Sequence, residues 1–132
     1  MVVEDEDGIR RMVCRVLRKI GFEVSEARDG QEALEAARRM STLDLVLTDV
    51  MMPSMGGPEL VRRLRVLLPT LKVVFMSGHT FHRLDVETLN ATVERYLPKP
   101  FTPDALRVVV ERTLGATHGT GQPPGWGPPA HR

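Results

Sequence analysis

Short apolar runs alternate with amphipathic stretches over residues 1–114. Met1, Val2 and Val3 form a strand fragment that runs straight into the acidic series Glu4, Asp5, Glu6, Asp7. Ile9, Met12, Val13, Val16, Leu17 and Ile20 then recur at helical spacing, and Gly21 falls where a helix would stop. Residues 22–25 read as a brief strand. Asp29 suits the cap of a second helix, with Glu32 completing a capping box and Ala33, Leu34, Ala37 and Met40 as its apolar face. Leu45, Val46 and Leu47 are continuously apolar, as expected of a strand buried on both faces. Pro58 suits the first turn of a third helix whose buried stripe would be Leu60, Val61, Leu64 and Leu67. Val73, Val74 and Phe75 predict another buried strand, and Tyr96 with Leu97 a short final one. Between them a weakly patterned helix would run through Leu84, Val86 and Leu89. Thr102 and Pro103 open a last helix with Leu106, Val109, Val110, Thr113 and Leu114 on one face.

About five βα units result. They predict an α/β protein in which a parallel sheet is covered by helices on both faces. Composition changes once, at Gly115. Half of residues 115–132 are Gly or Pro, without apolar periodicity, which predicts a disordered tail after one domain of residues 1–114. Trp126 lies in that tail, inside a PPGWGPP segment with the composition of a polyproline ligand.

Charge narrows the functions further. The net charge is +1, and Arg132 is the one formal charge after residue 114, so residues 1–114 are neutral. A neutral domain argues against direct nucleic-acid binding. Cys14 is the only cysteine, which excludes an internal disulfide and a thiolate metal cluster and suits a reducing cytoplasm. No apolar run approaches the roughly 20 residues of a membrane span, and no secretory signal is visible. Neither GxxxxGK[ST] nor GxGxxG occurs, so nucleotide binding finds no support.

In an open parallel sheet the crevice lies at the carboxyl ends of the strands. Glu4 and Asp5 end the first predicted strand, Asp49 the third and Ser77 the fourth, and Lys99 follows the fifth. Carboxylates gathered in one crevice repel, by roughly 4 kcal/mol for a pair about 4 Å apart at an effective dielectric near 20. A hard divalent cation with oxygen ligands relieves that repulsion, and Mg²⁺ accepts a few carboxylates while keeping its waters. Lys99 supplies a second positive charge. Carboxylate, Mg²⁺, ammonium and hydroxyl together suit phosphoryl transfer, with Asp49 as the nucleophile that forms an acyl phosphate. Each residue has an ordinary reading by itself: a solvated helix start, turn chemistry before Pro53, a strand end, a surface lysine. Their conjunction in this order does not.

The runs VVEDE at 2–6, LVLTDVMMPSMGGPEL at 45–60, MSG at 76–78 and LPKPFTPDAL at 97–106 resemble the receiver domain of two-component response regulators. The wording around Asp49 and Lys99 is most similar to receivers attached to hybrid sensor histidine kinases. The resemblance implies a doubly wound (βα)5 flavodoxin-like three-layer sandwich with strand order 2-1-3-4-5, an order for which a receiver is a standard illustration. It implies that Asp49 accepts a phosphoryl group from a phosphohistidine of a histidine kinase or histidine phosphotransfer domain. Mg²⁺ would be held by Asp5, Asp49 and the Met51 backbone carbonyl, and through water by Glu4. Lys99 would pair with Asp49 and then with the phosphoryl oxygens. Ser77 would move onto the phosphoryl group and Tyr96 turn inward behind it, a small Gly78 would leave access, and the Lys99–Pro100 peptide would be cis. The positions after the phosphoacceptor and the hydroxyl that govern phosphoryl lifetime would be Met51 and His79. Such a chain is a signalling domain and not a turnover enzyme.

The chain departs from the family in two places. Glu4 stands where aspartate is commoner, and the first strand starts two or three residues late, as in a segment excised from a longer chain. Two rivals belong to other classes. A phosphatase of the haloacid-dehalogenase type needs a second aspartate two residues after its nucleophile, and Met51 occupies that position. A degenerate receiver that only binds partners would lack the phosphoacceptor, the acidic pair or the lysine, and all of these are present.

Overall fold

The computed structural model describes residues 1–78 and 95–118. Five strands run in parallel in the order β2-β1-β3-β4-β5: β1 Val2–Val3, β2 Glu26–Ala27, β3 Leu45–Asp49, β4 Lys72–Ser77 and β5 Arg95–Pro98. Among the described residues there are four helices: α1 Asp7–Ile20, α2 Gly30–Arg39, α3 Gly57–Leu67 and α4 Pro103–His118. The predicted helix through Leu84, Val86 and Leu89 lies outside the described residues, as do His79 and residues 119–132 with Trp126.

The sheet separates two apolar clusters because side chains alternate along each strand. Val3, Val46, Val73 and Phe75 pack with Ala33, Leu34 and Ala37 of α2 and Leu60, Val61 and Leu64 of α3. Val2, Leu47, Val74, Met76 and Leu97 pack with Val13, Cys14 and Leu17 of α1 and Leu106, Val110 and Leu114 of α4. Every residue of β3 is buried, which explains its unbroken apolar pattern.

Local signals set the helix ends. Gly21 takes φ 119°, and its N–H donates to the carbonyls of Leu17 and Arg18, closing α1. Asp29 Oδ1 accepts from the Glu32 N–H at 2.8 Å, and Glu32 Oε1 reaches back to the Arg28 N–H at 2.7 Å. Thr102 Oγ1 accepts from the Ala105 N–H at 3.0 Å and caps α4. That helix continues through Gly115 to His118, past the point where composition changes.

Two expectations need correction. The second strand is Glu26–Ala27 and not residues 22–25. The two residues of β1 find their partners at Glu26 and Ala27, and the Val2 N–H bonds to the Ser25 carbonyl. Phe22 and Val24 are apolar because they pack against the core cluster, outside the ladder. Leu67 is exposed although it continues the α3 stripe. The chain leaves the helix at Leu68, and Leu68 and Leu71 turn back onto the core in its place. No helix among the described residues is long and apolar enough to cross a membrane.

Candidate functional site

Register brings the site together. Val3 pairs with Thr48, so the next residues, Glu4 and Asp49, emerge side by side at the carboxyl end of the sheet. Ser77 pairs with Pro98, which brings Lys99 to the same edge, and the Lys99 N–H donates to the Ser77 carbonyl at 2.7 Å. The Val50 N–H bonds to the Met76 carbonyl at 2.9 Å and holds the loop after β3 against β4.

Lys99 is the hub. Its Nζ lies 2.8 Å from Glu4 Oε1 and 3.2 Å from Asp49 Oδ2. Glu4 is 1% exposed and Asp49 7%, so both carboxylates are held largely out of water and need such a partner. The Glu6 N–H donates to Glu4 Oε2 at 3.1 Å, and the Met51 N–H makes a long contact of 3.4 Å to Asp49 Oδ1. Burial pushes the Glu4 carboxyl above its ordinary range, the Asp49 charge adds to that, and the hydrogen bond from Lys99 offsets part of it. Burial pulls the Lys99 ammonium down, but Glu4 and Asp49 outweigh it and hold the group above its ordinary value.

Asp5 completes the cluster from the exposed side. Carboxylate oxygens of Glu4, Asp5 and Asp49 lie within 4.8 Å of one another. Three carboxylates against one ammonium leave a net charge of two negative, and the donors are all hard oxygens. That combination fits a hard divalent cation.

The hydroxyl side of the crevice is also assembled. Ser77 is fully buried, and its Oγ donates to the hydroxyl of Tyr96 on the neighbouring strand. Among the described residues, a Cβ on Gly78 would meet nothing within 4 Å. The Lys99–Pro100 peptide is cis, as the resemblance implied. Met51 projects outward, 65% exposed, beside Asp49. The structure therefore brings together Glu4, Asp5, Asp49, Lys99 and Met51, with Ser77 and Tyr96 in contact with each other at the same sheet edge.

Comparison with known proteins decides the family. The family model described as the response regulator receiver domain matches residues 1–111. The chain belongs to that family. This receiver is 38% identical over 118 residues to sensor kinase CckA of Brucella abortus (strain 2308), covering 86% of this chain and 12% of that protein. It is 34% identical over 128 residues to a chemotaxis protein CheY homolog of Campylobacter jejuni, covering 92% of this chain and 95% of the homolog. Among solved structures, the receiver domain from hybrid histidine kinase CckA superposes with a TM-score of 0.73 at 38% identity, covering 86% of this chain and 95% of that one. The resemblance to hybrid-kinase receivers read from the motifs is thus matched by a sequence relative and a structure. This receiver spans only a small part of the sensor kinase's length.

One residue at the receiver's site escaped the sequence reading. Arg10 is buried on α1 and bonds to the Glu4 carbonyl, Asp7 and Glu26. Its place four residues before Cys14 and seven before Leu17 put it on the inward stripe of the helix, and that was the available signal.

Proposed function

We propose that this receiver takes a phosphoryl group onto Asp49 from the phosphohistidine of a histidine kinase or histidine phosphotransfer domain and so regulates a partner. The observation that carries this reading is the Lys99 ammonium set between Glu4 and Asp49, with Asp5 close by. Asp5, Asp49 and the Met51 backbone carbonyl are the residues that would hold Mg²⁺, with Glu4 reaching it through water. When bound, Mg²⁺ neutralises the crevice and stabilises the charge that builds on the transferring group.

The remaining steps belong to the protein. A carboxylate oxygen of Asp49 forms the new P–O bond while the P–N bond of the donor breaks, and the electron pair returns to the imidazole nitrogen. Lys99 holds the Asp49 carboxylate in place before transfer, then pairs with the phosphoryl oxygens. Ser77 gives up its bond to Tyr96 and donates to the phosphoryl group. Loss of that bond leaves the half-buried Tyr96, already turned toward Ser77, to repack, and that exchange carries the signal along the β4–β5 edge. Such a domain catalyses only its own modification and its reversal.

The test is intact mass after incubation with a small phosphodonor. One phosphoryl group should be added, only in the presence of Mg²⁺, and not in Asp49→Asn. Modification that persists in Asp49→Asn overturns the assignment.

A further inference from the structure

We infer that Arg10 is a positioning residue for the acidic site: its guanidinium fixes the Glu4–Asp5 peptide and thereby sets where Asp5 presents its carboxylate. The inference rests on the Mg²⁺-dependent reading above and extends it to a residue outside the reacting set.

Three contacts define the arrangement. Arg10 Nη1 donates to the Glu4 carbonyl at 3.0 Å, Nη2 to Asp7 Oδ1 at 2.6 Å, and Nε to Glu26 Oε1 at 3.2 Å. The Arg10 side chain is 8% exposed and its bond to the Glu4 carbonyl is buried, whereas its two carboxylate partners reach solvent. Glu26 sits on β2, opposite Val2 of β1, and is held in addition by Arg18 Nη2 at 3.3 Å. Arg10 thus ties the loop after β1 to a residue fixed in the sheet ladder and to the first turn of α1.

The need for such a tie follows from Asp5. Glu4 has its own anchors in Lys99 and the Glu6 N–H. The Asp5 carboxylate is exposed and accepts no hydrogen bond among the described residues, so the backbone that carries it is its main constraint. The carbonyl gripped by Arg10 belongs to the peptide joining Glu4 to Asp5. Planarity of that peptide makes the grip an orientation of the Asp5 α carbon as well. The guanidinium meets a carbonyl and two carboxylates from three different nitrogens of one planar fork, a span that the single nitrogen of an ammonium does not cover.

The experiment compares Arg10→Gln and Arg10→Lys with the parent full chain. Mg²⁺ affinity is read by titration calorimetry, and phosphorylation by a small phosphodonor is followed across Mg²⁺ concentrations. Arg10→Gln should weaken Mg²⁺ binding by about tenfold, the usual scale for losing a residue that orients a metal ligand. Saturating Mg²⁺ should restore its phosphorylation rate, and Arg10→Lys should fall between. A purely structural role predicts a lower thermal midpoint with unchanged Mg²⁺ affinity, and that result in a folded Arg10→Gln overturns the inference. If Arg10→Gln does not fold, Glu26→Gln loosens the guanidinium from outside the loop. It should weaken Mg²⁺ binding by a smaller factor, and an unchanged affinity there also overturns the inference. A parent chain that binds no Mg²⁺ sinks the metal reading itself, and the inference with it.

Discussion

A Cβ built on Gly57 would lie 2.5 Å from the backbone carbonyl oxygen of Asp49. The first residue of α3 is thus packed directly against the end of β3, and the Gly57 N–H bonds to the Val50 carbonyl at 2.8 Å. The obstacle is backbone, which cannot rotate away as a side chain can. Gly57→Ala should therefore displace the Asp49 loop, at a cost of about 1–3 kcal/mol in stability. Thermal unfolding followed by circular dichroism measures the loss, and phosphorylation of the folded fraction should slow as well. A variant as stable as the parent would mean that α3 shifts without cost.

The same loop shows how much of the site was legible in the sequence. Ser77 directly follows an apolar run, Asp49 and Lys99 follow theirs after one further residue, and a parallel sheet brings such positions to one edge whatever their separation in the chain. Those runs read as strands because they are short, rich in Val and bounded by polar or turn residues, as strands covered on both faces are. The edge strand was harder. Apolar residues at 22 and 24 mimic a strand, while the ladder is set by the two residues of β1 and falls on Glu26 and Ala27. Leu67 misled for a related reason, because helical periodicity does not report where a helix overruns the layer beneath it. Arg10 was hidden by its charge, since burial of a guanidinium depends on acceptors contributed by Glu4, Asp7 and Glu26, which only the fold assembles.

Glu4 offers a test in which stability and function separate. Burial is the main reason its carboxyl is held above the ordinary value of 4.5, followed by the opposing bond from Lys99 and the added charge of Asp49. A raised carboxyl pKa means that the folded chain holds this proton more tightly than the unfolded chain does. Its contribution therefore favours folding at acid pH and weakens as pH rises from the unfolded value through the folded one. Glu4→Gln removes this dependence and leaves Lys99 paired with Asp49. With a chelator present, the variant should unfold at or above the parent's midpoint near pH 7.5, and the two should converge as the pH is lowered. Added Mg²⁺ should reverse the order, because binding to the folded state stabilises the parent more. A variant several degrees less stable in chelator would show that the Lys99 ion pair outweighs burial.

Met51 bears on how long a phosphoryl group would last on Asp49. Hydrolysis of an acyl phosphate needs a water held in line with phosphorus, and a polar side chain at the crevice rim can hold it. Met51 stands two residues after Asp49 and projects into solvent at 65% exposure. A thioether is a weak acceptor and no donor, so the side chain covers the rim with apolar surface and orients no water. The other rim position read from the sequence, His79, lies outside the described residues. Self-dephosphorylation should accordingly be slow, suited to a sustained signal. Met51→Asn supplies both a donor and an acceptor at the rim without altering the buried carboxylates. It should accelerate decay by about tenfold, which requires only about 1.4 kcal/mol of barrier. The measurement is a decay time course of the phosphorylated protein after removal of the phosphodonor, at fixed Mg²⁺. If Met51→Asn decays no faster than the parent, water access is governed elsewhere in the crevice and the apolar rim does not set the lifetime.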